Sequence, residues 1–441
     1  MKMPKSDIRC LRDALAKKPQ NELIDCAQRA SFASLLSARL AVHGAGQNVL
    51  LAANSQFDSV MALVALDGAA RQIVLCPPDL PDERRSIIAA RTATDVIVTD
   101  AKLEPAGLVS PDSCVTDWIL LTSGTSGVPK TVRHTFASLV AAIKPTNAPA
   151  DSVVWATFYD TRRMGGLQVL LRAFLGGHTL VLSNAQETMA AFLARAGACG
   201  VTHMTGTPSH WRSALMSPAI GLVAPRYIRL SGEIADQAVL DALKLAFPAA
   251  TLVHAYASTE AGVVFDVTDG QQGFPANFVD DLQDGYELRV VNGELHVRSV
   301  RTATAYVGDG EAALLDSEGY YHTGDIVERR GDRYFFAGRR GGIINVGGAK
   351  VHPEEVEAVI NRQPGVRVAQ VKAKTNPIVG SIVVADVVAS DPSAIASLDS
   401  LRETILAACR AELAEYKVPV IVRFVADLPL SSNGKLKRPN G

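Results

Sequence analysis

Short apolar runs alternate with helical patterns through the first third of the chain. NVLLAA (48–53), QIVLC (72–76) and DVIVT (95–99) are stretches of the length and composition of buried strands. Between them SVMALVALDGAA (59–70) and DERRSIIAAR (82–91) carry a helical pattern. Strands that alternate with helices predict a parallel α/β layer. WILLTS (118–123) is a further strand, and it runs straight into the small polar stretch TSGTSGVPKT (122–131). The middle of the chain repeats the theme in SVVWATFY, HTLVLS, THMTGT, YIRLSGE and TLVHAYAS, each an apolar run that ends in small or polar residues. From about Phe274 the texture changes. YELRVVNGELHVRS (286–299) alternates on both sides of Asn292-Gly293, a strong hairpin signal, so a small antiparallel β unit follows the α/β body.

A second change falls at FAGRRGGIINVGG (336–348), where glycines flank a doubled arginine. Beyond it HPEEVEAVINRQ predicts a helix, with Pro353 at its start and Glu354 and Glu355 in the first turn. AQVKAK and SIVVADVV read as strands, LRETILAACRAELAEY as a helix and IVRFVADL as a last strand. The expected architecture is therefore α/β: a large N-terminal domain of α/β layers plus a small β unit, followed by a small α+β C-terminal domain.

Composition narrows the class without naming it. A chain of 441 residues has room for two or three domains. A formal net charge of −1 gives no global electrostatic case for nucleic acid or an anionic membrane as partner. The six cysteines are scattered without a C-x-x-C pair, which speaks against a disulfide framework or a zinc site and fits a reducing, cytoplasmic compartment. The N-terminus lacks a signal-peptide core, and no run approaches transmembrane length. These features describe a cytosolic globular enzyme or binding protein.

The loop 122–131 comes close to a phosphate-binding P-loop and fails at one position. That pattern needs glycine immediately before the lysine, and Pro129, which has no backbone N–H, stands there. A P-loop phosphotransferase is excluded. The loop still offers the hydroxyls of Thr122, Ser123, Thr125 and Ser126, the flexible Gly124 and Gly127, and the Lys130 ammonium. It sits at the carboxyl end of a strand, where open α/β sheets take ligands.

Six segments then follow in order: LLTSGTSGVPK (120–130), RLSGE (229–233), AYASTE (255–260), YHTGD (321–325), GRRGGIINVGG (338–348) and PLSSNGKLKR (429–438). Each alone is weak; the ordered series resembles the adenylate-forming, AMP-binding superfamily, which includes acyl- and aryl-CoA synthetases. The resemblance implies an N-terminal adenylation domain over 1–337, a hinge at 338–342 and a mobile C-terminal domain over 343–441. It implies ATP and Mg²⁺ as cofactors, a small-molecule carboxylic acid as substrate, and a phosphopantetheine thiol as acceptor, on CoA or on a separate acyl carrier protein. The chain ends six residues after Lys435, so no fused carrier domain is expected.

By the same resemblance the loop Thr122–Gly127 holds the β- and γ-phosphates, and Lys130 touches phosphate or stabilises the loop. Glu260 is the magnesium ligand and Thr259 contacts phosphate. Gly232 and Glu233 line the adenine pocket, together with Tyr256 and Ala257, although Ala257 replaces the family's usual glycine. Asp325 takes both ribose hydroxyls and Arg339 lies near ribose and phosphate. Lys435 bridges the attacking carboxylate and the α-phosphate. Gly341 stands where the family has a pivot aspartate or lysine, so free pivoting without a side-chain lock is expected.

The acid is less legible. TFYDTRRMGGLQ (157–168) offers Phe158 and Tyr159 as walls of an acyl or aryl pocket. Arg162 could grip an anionic group or pair with Asp160, and the two are evenly matched. His210 is a further candidate lining residue, with Trp211 beside it expected in the core. The phosphate loop begins early for the family, which implies trimmed N-terminal elements and a more open acyl pocket; a homodimer partner is one way to cover it. A carrier-protein ligase and a non-catalytic nucleotide or acid sensor remain as alternatives to a CoA synthetase.

Overall fold

The computed structural model describes residues 10–16, 21–26, 28–37, 46–99, 115–122, 128–144, 153–308, 313–346, 349–376, 380–390 and 395–429. Two mixed sheets take all the strands from Glu22 to Val267, together with Ala305–Tyr306. In the six-stranded sheet Val96–Val98, Asn48–Leu51, Gln72–Leu75 and Asp117–Leu121 run parallel, closed at one edge by the antiparallel Thr131–Thr135 and Ala305–Tyr306. In the eight-stranded sheet Thr251–Ser258, Tyr227–Ser231, His203–Gly206, Val154–Thr157, Thr179–Leu182 and Glu22–Ile24 are parallel neighbours. Antiparallel Gly262–Val267 and Arg29–Ser31 flank them.

The uninterrupted apolar runs became the buried parallel strands, because helices cover both faces of such sheets. Helix Gln56–Leu66 is apolar nearly all round and packs in the core that also holds Phe174 of helix Met164–Gly176. Two features were not visible in the pattern. The parallel theme divides into two sheets, and Glu22–Ile24 joins the second of them, beside a strand more than 150 residues away.

A five-stranded antiparallel sheet follows, in the order Phe274–Pro275, Arg333–Arg339, Tyr321–Arg330, Glu294–Ser299, Tyr286–Val291. The Asn292-Gly293 turn has both central residues at positive φ (51° and 79°), as a two-residue hairpin of type I′ requires. The C-terminal part builds its own core from residues 344–424. Strands Val366–Asn376, Gly380–Ala389 and Ile421–Phe424 pack against helices Pro353–Asn361 and Ile395–Glu412.

One buried acid marks where the N-terminal segment is fastened. Asp67 follows helix Gln56–Leu66, is fully enclosed, and accepts the Leu11 N–H at 2.7 Å, at the start of helix Leu11–Ala16. Burial pushes its carboxyl up to about 7. The native state therefore holds a proton that the unfolded chain has released above pH 4, and stability from this group falls as pH rises towards 7. Asp67→Asn keeps the acceptor and cannot ionise. Its stability relative to the wild type is expected to rise from pH 5 to pH 8, by roughly 2–3 kcal/mol. A difference that stays constant across that range, measured by thermal denaturation, would refute the assignment.

Candidate active site

A cleft opens where the strands of the eight-stranded sheet end. Ser231 and Gly232 close one strand, and Ala257, Ser258 and Thr259 close the next. Facing them are Tyr159, Asp160 and the first turns of helix Met164–Gly176. This is the carboxyl edge of parallel strands, the usual ligand position in such sheets. The interior holds about 110 Å³, walled in part by Leu121, Met164, Val169 and Val263.

Thr259 and Glu260 lie on the turn between Thr251–Ser258 and Gly262–Val267, and main-chain contacts hold that turn. The Ala303 N–H donates to the Glu260 carbonyl at 2.8 Å, and the Ala261 N–H to Ser258 Oγ at 3.0 Å. His134 Nε2 donates to the Thr259 carbonyl at 2.6 Å, while its Nδ1 lies 3.0 Å from Ser138 Oγ. Burial lowers the His134 imidazole to about 4, so the ring is neutral and its single N–H is committed to that carbonyl. Nothing in the sequence around His134 announces this, because its partner is 125 residues away. The Glu260 carboxylate has no hydrogen-bond or ion-pair partner among the described residues. It lies close enough to Tyr306 and Tyr321 to raise both phenols, after burial itself. Lys130 sits 4.9 Å above the Tyr306 ring, beside the same turn. Arg91 donates to the Pro129 carbonyl at 2.9 Å and so pins the strand-side end of the 122–131 loop.

Asp325 is the centre of a second cluster. Tyr256 donates its hydroxyl to Oδ2 at 2.5 Å, and Arg339 Nε donates to Oδ1 at 2.8 Å. The Asp325–Arg339 contact follows from register, since the two are directly opposed on antiparallel strands. The Tyr256 ring stacks between Phe265 and Phe336, at centroid distances of 5.4 and 5.2 Å. Burial, then the facing Asp325, holds the Tyr256 phenol far above its ordinary value, so it remains a donor. Tyr256, expected at the nucleotide, directs its hydroxyl to Asp325. Glu233 likewise accepts from Ser209 N–H (2.9 Å) and Oγ (3.1 Å), at the first turn of helix Pro208–Leu215, which anchors the Gly232 turn.

On the acid side Tyr159 lines the cleft and donates to the Ser231 carbonyl at 2.8 Å. Phe158 and His210 stack on each other at 5.5 Å, and Phe158 packs edge-on to the fully buried Trp211. Phe158 therefore belongs to the packing behind the cleft. His210 Nδ1 closes the capping box of its own helix, and burial lowers the ring to about 4. Arg162 must be corrected as a candidate for gripping substrate. Its guanidinium is 4% exposed, pairs with both oxygens of Asp160, and donates to the Ala53 and Asn54 carbonyls at 2.8 and 3.1 Å. It staples the two sheets together, and four of its five N–H groups are spent on these partners. Five other polar residues line the cleft: Arg163, Gln168, Arg172, Thr205 and Arg229.

At the glycine pair, Gly341 and Gly342 have open space where a Cβ would stand. The residue before the pair does have a partner. Arg340 pairs with the buried Glu294, and Glu294 also accepts the Gly324 N–H at 3.0 Å, next to Asp325. Ser123, Gly124, Thr125, Ser126, Gly127 and Lys435 lie outside the described residues. Thr122, at the end of strand Asp117–Leu121, donates its N–H to the Lys130 carbonyl and so closes the base of the loop.

Residues 104–307 match the AMP-binding enzyme family, and residues 355–435 match the AMP-binding enzyme C-terminal domain. The chain belongs to the AMP-binding enzyme family. A feruloyl-CoA synthase from Amycolatopsis is 30% identical over 364 residues, covering 75% of this chain and 69% of that protein. Among solved structures, an anthranilate CoA ligase with bound anthranoyl-AMP superposes with a TM-score of 0.80 at 19% identity, over 98% of this chain and 97% of that one. The o-succinylbenzoate CoA synthetase of Bacillus subtilis gives 0.75 at 20% identity, over 97% and 96%. As a member of this family the protein is an AMP-forming acid–thiol ligase, with the mixed α/β fold of its relatives. No helix among the described residues is long and apolar enough to cross a membrane.

Proposed function

We propose that this AMP-binding enzyme uses ATP to activate a small aromatic or short acyl carboxylic acid as its acyl-adenylate, and then passes the acyl group to the thiol of CoA. The observation that carries the proposal is the junction of two sites. Asp325, held between Tyr256 and Arg339, offers a carboxylate to a vicinal diol. The cleft that reaches Gly232, Ala257 and Thr259 continues into an apolar pocket. The interior space is of the order of a single ring, since a cavity of about 150 Å³ is enough to hold benzene.

A carboxylate is already a nucleophile at neutral pH, so attack at the α-phosphate needs no general base. The obstacle is charge: an anion approaches a polyanion. Fixed donors and cations aimed at the developing charge supply most of the stabilisation. Lys130 and the 122–127 loop hold the outer phosphates, Asp325 and Arg339 orient the ribose, Gly232, Glu233 and Ala257 bound the adenine, and Thr259 faces the phosphate chain. The carboxylate of Glu260, without a partner among the described residues, is a hard oxygen donor suited to Mg²⁺, which would neutralise phosphate charge when bound. Lys435 joins carboxylate and α-phosphate in the first step, and rotation of residues 343–441 about Gly341 withdraws it so that a thiol can enter.

Hydroxylamine-trapped adenylation across short, medium, long and aromatic acids tests this. Hydroxamate from one acid class, with thioester formed on adding CoA, is the expected result. Turnover only with a carrier protein would reassign the acceptor, and silence across the panel would overturn the proposal.

A further inference from the structure

The phosphate loop and the Thr259–Glu260 turn are far apart in sequence, and a nucleotide that uses both needs them at a fixed separation. Strand Thr131–Thr135 begins at the residue after Lys130, so its position sets where the loop ends. That strand is tied to the turn in two ways. One is main-chain. Val132 and Arg133 pair with Tyr306 and Ala305, and the Thr304 N–H donates to the Arg133 carbonyl at 2.8 Å. The Ala303 N–H then donates to the Glu260 carbonyl at 2.8 Å. This run lies tightly over the turn: a Cβ on Gly262, at φ 70°, would stand 2.4 Å from the Arg301 carbonyl oxygen. The second tie is the side chain of His134, whose Nε2 lies 2.6 Å from the Thr259 carbonyl. Two successive carbonyls, Thr259 and Glu260, are thus both held, which fixes the peptide between them.

A carbonyl only accepts, so Nε2 carries the ring proton, and Nδ1 meets Ser138 Oγ at 3.0 Å in the helix that follows the strand. His134 is fully buried and does not line the cleft. An apolar side chain of the same size would fill its space. What the imidazole adds is one donor on the peptide that carries Thr259 and Glu260. Without that donor a buried carbonyl is left unsatisfied, a cost the turn relieves only by moving. Resting on the ligase proposed above, we infer that His134 is a positioning residue for the nucleotide step. It holds the Thr259–Glu260 peptide at a set distance from the phosphate loop, so that both side chains meet ATP and Mg²⁺ without first having to be ordered.

The full chain is titrated calorimetrically with ATP, once in EDTA and once in excess Mg²⁺, and the gain in affinity brought by Mg²⁺ is the readout. His134→Gln places an amide NH₂ close to the position of Nε2. His134→Asn reaches only as far as Nδ1, and His134→Leu fills the space without a donor. Wild type and His134→Gln are expected to share the gain. In His134→Asn and His134→Leu it falls by roughly 5- to 100-fold, or to nothing where the wild-type gain is smaller, while affinity in EDTA stays close to wild type. Thermal melting runs alongside, and if His134→Leu does not fold, Asn against Gln carries the comparison. A histidine that only supports the fold would lower the melting temperature in the Asn variant and leave its Mg²⁺ gain intact; that result overturns the inference. So does a loss of the gain in His134→Gln as large as in His134→Asn. A wild type that binds ATP without any gain from Mg²⁺ would remove the Glu260 assignment and this inference together. A wild type that binds no ATP would overturn the proposed function itself.

Discussion

Asp325→Ala is expected to lower kcat/KM for ATP by roughly 10²- to 10³-fold while leaving binding of the acid almost unchanged. Two losses combine. Each charge-assisted hydrogen bond from a ribose hydroxyl is worth about 1.5–3 kcal/mol, and the same carboxylate holds Tyr256 and Arg339 in place. Without it the Tyr256 hydroxyl is left without its acceptor between Phe265 and Phe336, and the Arg339 guanidinium loses its partner. Asp325→Asn recovers little, because its NH₂ turns a donor towards one of two donors. The ribose assignment has a sharper check in 2′-deoxy-ATP. The wild type should discriminate against it, and Asp325→Ala should not. Equal discrimination by both proteins would sink the assignment and leave Asp325 as a structural clasp.

Lys435→Ala carries the second large effect, a loss of adenylation of roughly 10²- to 10³-fold, the scale of removing one aimed charge from a developing anion. The position rests on its place in SSNGKLKR and on the chemistry of the first step, in which two negative groups must meet. That chemistry is absent from the second step. Thioester formation from supplied acyl-adenylate and CoA should therefore change only a few-fold in the variant, measured by single-turnover release of AMP. Equal loss in both half-reactions would show that Lys435 supports the fold or both steps, and would count against its withdrawal between them.

Some of this protein follows from neighbours close in sequence. The runs at 48–53 and 72–76 became strands because apolar continuity over strand length leaves no solvated face. Asn292-Gly293 became a hairpin turn because both residues tolerate positive φ. Pro353 opened its helix because the first turn needs no N–H there. Asp325 and Arg339 were legible as a pair from their motifs, and strand register brought them together.

The remainder depended on contacts that no local rule reaches. Arg162 had two readings of equal weight, and carbonyls at Ala53 and Asn54, more than 100 residues earlier, decided for the staple. The partner of Arg340, Glu294, lies on another strand, and no local rule names it. His134 acquired a task only when the Thr259 carbonyl arrived beside it. Periodicity and turn chemistry act over two to four residues, so the sequence alone determined elements, fold class and family. The tertiary structure decided which polar atoms are left facing an enclosed space, because desolvation there is a property of the closed packing and of no single segment.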